Sequence, residues 1–90
     1  MAVYQGIVAP NGTVVRRQGQ FTVVSKTGDR LVVRFPGDNV TKAFVLATPW
    51  RNDGDIGRPG IAASPDPQNH EYMIFAVEDY YGVSFRVQSA

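Results

Sequence analysis

The spacing of its turns constrains this chain more than any other feature. Runs of four to seven residues rich in β-branched and aromatic side chains are cut at short intervals by Gly, Pro, Asn and Asp. No run sustains the 3.6-residue apolar period of a helix. The pattern predicts seven or eight strands, at 4–8, 13–18, 20–26, 30–35, 42–48, 61–64, 72–77 and 83–88, and no helix longer than one turn. Between the first two stands Asn11-Gly12, a pair suited to a two-residue hairpin in which both positions take positive φ. The expected fold is all-β: a single domain over residues 1–90, a small antiparallel β-sandwich of about six to eight strands.

Composition agrees. Tyrosine and phenylalanine together supply nine residues, valine dominates the aliphatic set, and leucine occurs twice. Such residues suit a pleated, half-buried surface. A chain of this size buries only roughly 60–65% of its unfolded surface, so its core is thin. Disulfides are excluded by the lack of cysteine, and a histidine-rich metal cluster by the single histidine. Oligomerisation is the remaining way to hide more apolar surface.

Two strands support that expectation. In 42–48, Ala43, Val45 and Ala47 alternate with Phe44 and Leu46; in 72–77, Met73, Phe75 and Val77 alternate with Tyr72, Ile74 and Ala76. Both faces of both strands are apolar, so both need cover. The expected subunit interface is Ala43, Val45, Ala47, Tyr72, Ile74 and Ala76.

The formal net charge of +1 favours neither nucleic acid nor a membrane surface as partner. Residues 1–45 carry six basic and two acidic side chains (+4), and residues 46–90 three and six (−3). The longest apolar run, 43–47, is far short of a membrane span, and no secretory leader is visible. Lys26, Arg30 and Arg34 share one parity while Phe21 and Phe35 take the other. A basic stripe there would lack the stacking rings of a nucleic-acid barrel, and a solvated outer face is the expected reading.

Catalytic constellations are nearly absent from the pattern. His70 stands near Ser64 and Asp66 without triad spacing, and Asp53, Asp55, Glu78 and Asp79 all fall in turns. Asn52-Asp53-Gly54-Asp55 has calcium-type oxygens, but Ser64 occupies the place of the closing glutamate, so a plain turn is expected. No catalytic residue, metal or cofactor is therefore assigned. Aromatic rings beside polar groups remain: Trp50, Arg51, Asp53, Asp55 and Arg58 in the long loop, His70 in the next, and Tyr80 and Tyr81 in the last turn. Flat rings with nearby Arg, Asp and Asn suit sugar faces and hydroxyls, and equally suit a subunit interface.

The ordered set Gly6–Val8, Gly12-Thr13-Val14, Gly19 to Gly28, Arg30 to Pro36, Ala43 to Pro49 and Gly82 to Val87 resembles modules of bacteriophage tail fibres. The same run of strands is similar to the sandwich of the H-type lectins, small trimeric sugar binders. The resemblance implies a homotrimer on a virion tail fibre or in an extracellular setting. Its partners would be copies of itself, a cell-surface receptor or glycan, or another fibre or tail protein. The alternatives left open are a structural cap or decoration protein with no ligand of its own, and a small free-standing lectin-like protein.

Overall fold

The computed structural model describes residues 1–54 and 60–90, and these contain eight strands and no helix. The strands are β1 (Val3–Val8), β2 (Val14–Gln18), β3 (Thr22–Thr27), β4 (Arg30–Arg34), β5 (Phe44–Trp50), β6 (Ile61–Asp66), β7 (Asn69–Val77) and β8 (Gly82–Gln88). They form two four-stranded antiparallel sheets, ordered β2-β1-β8-β5 and β3-β4-β7-β6. All eight expected strands are present, and the layers face each other as a sandwich. Because β5 and β6 approach one another, one side of the sandwich is bounded by those two edges and the other by β2 and β3.

The alternating strands bury one parity each. From the first sheet Tyr4, Val8, Val83, Phe85 and Val87 point inward; from the second, Leu31, Val33, Met73, Phe75 and Val77. Phe85 lies at the centre, stacked on Phe75 at 5.2 Å and edge-on to Phe21 at 5.2 Å. Gly6 is paired with Phe85, and a Cβ there would stand 2.5 Å from the Phe21 ring and 2.8 Å from the Phe85 ring. The bare glycine leaves the space those rings occupy. Phe35 and Val40, from the connection after β4, plug one end of the core and are fully buried.

Both chain ends are tied down at that same end. Ala2 donates its N–H to Ser89 Oγ at 2.9 Å, and Ser89 returns its own N–H to the Ala2 carbonyl at 2.9 Å.

Two local expectations are corrected. The first hairpin is not a two-positive-φ turn: Gly12 alone has positive φ (89°), while Asn11 does not. The Gly12 N–H reaches the Ala9 carbonyl, Ala9 N–H reaches the Thr13 carbonyl, and the ladder slips one residue beside Val8. Pro10 favours this arrangement, an ordinary turn followed by a left-handed glycine, because its φ is fixed near −65°. The second correction is in β3, where a bulge between Val23 and Ser25 lets Val24 fall out of register. Past it the parity reverses, so Lys26 pairs with Leu31 on the core side and leaves the outer face that holds Arg30 and Arg34.

Candidate functional site

The eight residues named from sequence do not form one site. Trp50 ends β5 opposite Gly82, the first residue of β8, which brings the long loop and the last turn to the same end of the sandwich. There the Arg51 guanidinium pairs with the Asp53 carboxylate and lies 5.5 Å from the Tyr81 ring centre. Tyr81 is buried, Trp50 half-buried, and Tyr80 projects with 70% of its surface exposed. The Tyr81 N–H closes the last turn on the Glu78 carbonyl at 2.9 Å. The loop cluster is thus an arginine held between a carboxylate and a ring, with Tyr80 standing beside it. Asp55 and Arg58 lie outside the described residues.

His70 is at the opposite end, and its carbonyl accepts from the Val40 N–H at 2.8 Å. Its neighbour Glu71 accepts from the Gly37 N–H at 2.7 Å and from Arg34 Nε at 2.9 Å. Those two donors, the Gly37 amide first, hold the Glu71 carboxyl below the usual range. The contacts fasten the β4–β5 connection to β7. His70 therefore belongs to a structural corner, away from Trp50 and Tyr80.

The assigned interface residues divide by face. On β7, Tyr72, Ile74 and Ala76 are on the outer side and half-buried, opposite Arg34, Val32 and Arg30 of β4. On β5 the face is the reverse of the one expected: Ala43, Val45 and Ala47 pack against the protein's own core. The reason is the partner strand, since Val45 and Ala47 sit opposite the inward-facing Val87 and Phe85 of β8. The open face is Phe44, 79% exposed, and Leu46, 72% exposed. Sequence marked both faces as apolar, but only the β8 register decides which one is left outside.

This open face belongs to an edge strand. β5 pairs with β8 on one side only, and residues 43–50 carry no charge. Beside it Val45, Ala47, Ile61, Ala62 and Ala63 line a cleft of about 280 Å³ between β5 and β6, with apolar side chains and exposed polar backbone. The other side of the sandwich is built differently. Edge strand β2 carries Arg16 and Arg17 and edge strand β3 carries Lys26. Arg17 lies 4.3 Å over the Phe21 ring and donates to the Phe21 carbonyl, capping the core there. Charged edges resist strand addition, whereas uncharged apolar edges invite it.

Among the described residues no group of three or more His, Cys, Asp or Glu side chains could hold a metal ion. No protein-family model, curated protein or solved structure matches this chain.

Proposed function

We propose that this chain is a non-catalytic attachment module of tail-fibre type that works as a homotrimer and recognises a cell-surface receptor or glycan. The observation that carries the reading is the contrast between the two sides of the sandwich. One is guarded by Arg16, Arg17 and Lys26; the other presents Phe44, Leu46 and a cleft lined by apolar side chains, with no charge from 43 to 50 and a single one, Asp66, at the far end of β6. Large exposed apolar residues on an unguarded edge mark a surface meant to be covered. The thin core of a 90-residue chain makes the same demand.

Trp50, Arg51 and Tyr80, at one end of the sandwich, supply the recognition surface. One copy offers a small, shallow contact, and three copies on one particle would raise weak binding by avidity. Tyr80 is the ring most open to a ligand.

The structural-cap reading uses the same edge and differs only in having no ligand. It draws support from Tyr81, whose ring is buried and held by Arg51 rather than offered to solvent. Light scattering on a sizing column, followed by a glycan array, separates the possibilities. A particle of about 30 kDa, three times the 9.9 kDa chain, is expected. Glycan binding lost on Tyr80→Ala, with mass unchanged, supports attachment. A trimer that binds no glycan or cell surface leaves the structural part, and a 10 kDa particle overturns both.

A further inference from the structure

The outer face of the first sheet carries positive charge and no negative charge. Strands β1, β2, β5 and β8 contain no aspartate or glutamate, whereas Asp66 and Glu71 lie in the second sheet. The ladder sets the outward residues in rows across all four strands. One row runs Gln18, Gln5, Arg86, Leu46, and the next runs Arg16, Ile7, Ser84, Thr48. Arg16 and Arg86 are therefore diagonal neighbours, with Cα atoms about 12 Å apart from the ordinary strand spacing and rise. Both are exposed, and neither forms an ion pair with a described residue. The second sheet differs, since its Arg34 is paired with Glu71 at 2.9 Å.

Between the two arginines the face is hollow. Ser84 is short and stands between Ile7 and Thr48, so a depression of about 210 Å³ opens from Arg16 and Gln18 to Ser84, over Gln5 and Ile7. A second, of about 200 Å³, continues it from Gln5 and Ser84 to Arg86 and Thr48, with Leu46 at its rim. The two share Gln5 and Ser84 and so make one trough across the sheet. Arg17 has the opposite parity, and its guanidinium lies over the Phe21 ring instead.

That lining selects a ligand. A guanidinium presents a planar pair of donors that fits a carboxylate or sulfate through two hydrogen bonds. Amides and hydroxyls donate and accept at once, as sugar hydroxyls do. The aromatic residue at the floor, Phe85, turns its ring into the core, so the trough has no platform for stacking bases.

Building on the glycan reading above, we propose that this trough binds an acidic saccharide, whose carboxylate or sulfate groups pair with Arg16 and Arg86 while its hydroxyls meet Gln5, Gln18, Ser84 and Thr48. It is a second contact surface, and Trp50 lies two residues beyond Thr48 on the same strand. Carboxylated and sulfated chains share this chemistry, and the choice of probes separates them.

The protein and two charge-matched double variants are titrated in low salt with oligogalacturonate, dextran sulfate, neutral dextran and an oligo-dT strand. Arg16→Gln/Arg86→Gln strips the trough, while Lys26→Gln/Arg30→Gln removes the same charge from the second sheet. An acidic saccharide should bind, at least about tenfold more weakly to the first variant and little changed to the second. The tighter of the two acidic probes identifies the group recognised. Equal loss in both variants would reduce the effect to net charge and overturn the site. Tighter binding of oligo-dT would give the trough to nucleic acid and overturn the saccharide. Neutral glycans bound on an array, with neither acidic chain bound, would overturn this site and leave the glycan reading intact, whereas no saccharide bound at all would remove both. Gln5→Glu, at an exposed position, supplies a second reading. Its carboxylate beside the two arginines should abolish acidic binding with the circular dichroism spectrum unchanged, and undiminished binding would overturn the proposal.

Discussion

The Tyr4 hydroxyl donates to Asp38 Oδ2 at 2.7 Å, tying β1 to the connection that runs from β4 to β5. The residues are 34 positions apart, and their bond closes the end of the core plugged by Phe35 and Val40. The Tyr4 ring also packs 4.7 Å from Phe35. Burial, and then the neighbouring carboxylate, push the Tyr4 phenol from 10.0 up to about 12. The same hydroxyl, ahead of the Asn39 N–H, holds the Asp38 carboxyl below its usual range.

Stability should therefore have two pH shoulders. The neutral phenol is favoured in the folded state, so its contribution is complete below pH 10.0 and is lost as pH rises toward about 12. The ionised Asp38 is favoured too, so its contribution is complete above 3.8 and is lost as pH falls through its lowered folded value. Tyr4→Phe should soften both shoulders and cost about 1 kcal/mol at neutral pH. Urea midpoints measured from pH 3 to 11 check this; identical profiles for the two proteins would refute the coupling.

Gly82 should tolerate no side chain. A Cβ there would sit 1.9 Å from the Val8 carbonyl oxygen and 2.9 Å from the Ala9 carbonyl carbon, both rigid backbone. Gly82→Ala must push β1 away from β8 at the point where the Trp50 end is assembled. A loss of about 3 kcal/mol is expected, at the upper end of ordinary overpacking. Thermal unfolding by circular dichroism measures it, and a melting temperature within a degree of the parent would contradict the close approach.

Removing the ring stacked on Phe85 should hurt comparably, by leaving space instead of filling it. Phe75 is fully buried and stacked on Phe85. Phe75→Ala should cost about 3–5 kcal/mol. In so small a domain that is a large part of the whole. Phe75→Leu should recover roughly half, and chemical denaturation of the three proteins gives the comparison.

Leu46→Lys should separate assembly from folding. Leu46 is 72% exposed and opposes Arg86, which is itself exposed. The lysine faces the like charge of Arg86, which costs the single copy up to about 1 kcal/mol, and it installs the edge charge that β2 and β3 already have. Native mass should fall toward one chain while the β-type circular dichroism spectrum persists. An unchanged trimer would place the interface elsewhere.

The strands were legible because turn chemistry and period-2 alternation are local, and both lie within a few residues of each other. Parity past a bulge is not local. Nothing in Thr22–Thr27 announces that Val24 drops out of the ladder, and so Lys26 changes sides unseen. The split of the expected binding residues has a similar cause: Trp50 ends β5 and His70 begins β7, and strand ends that face successive connections of an antiparallel fold lie at opposite ends of the sandwich. The apolar character of Phe44 and Leu46 was readable, whereas their exposure depends on which residues of β8 they face, a pairing across some forty positions. Tyr4 and Asp38 gave no signal at all, being ordinary residues that only the closed fold brings together.

The clasp between Ala2 and Ser89 has a practical side. Met1 and Ala90 emerge together at the end of the sandwich away from Trp50, Arg51 and Tyr80. A tag, tether or fused protein on either terminus therefore leaves the aromatic tip pointing outward. Immobilised by one end on a sensor or a bead, every copy would present the same surface to whatever flows past.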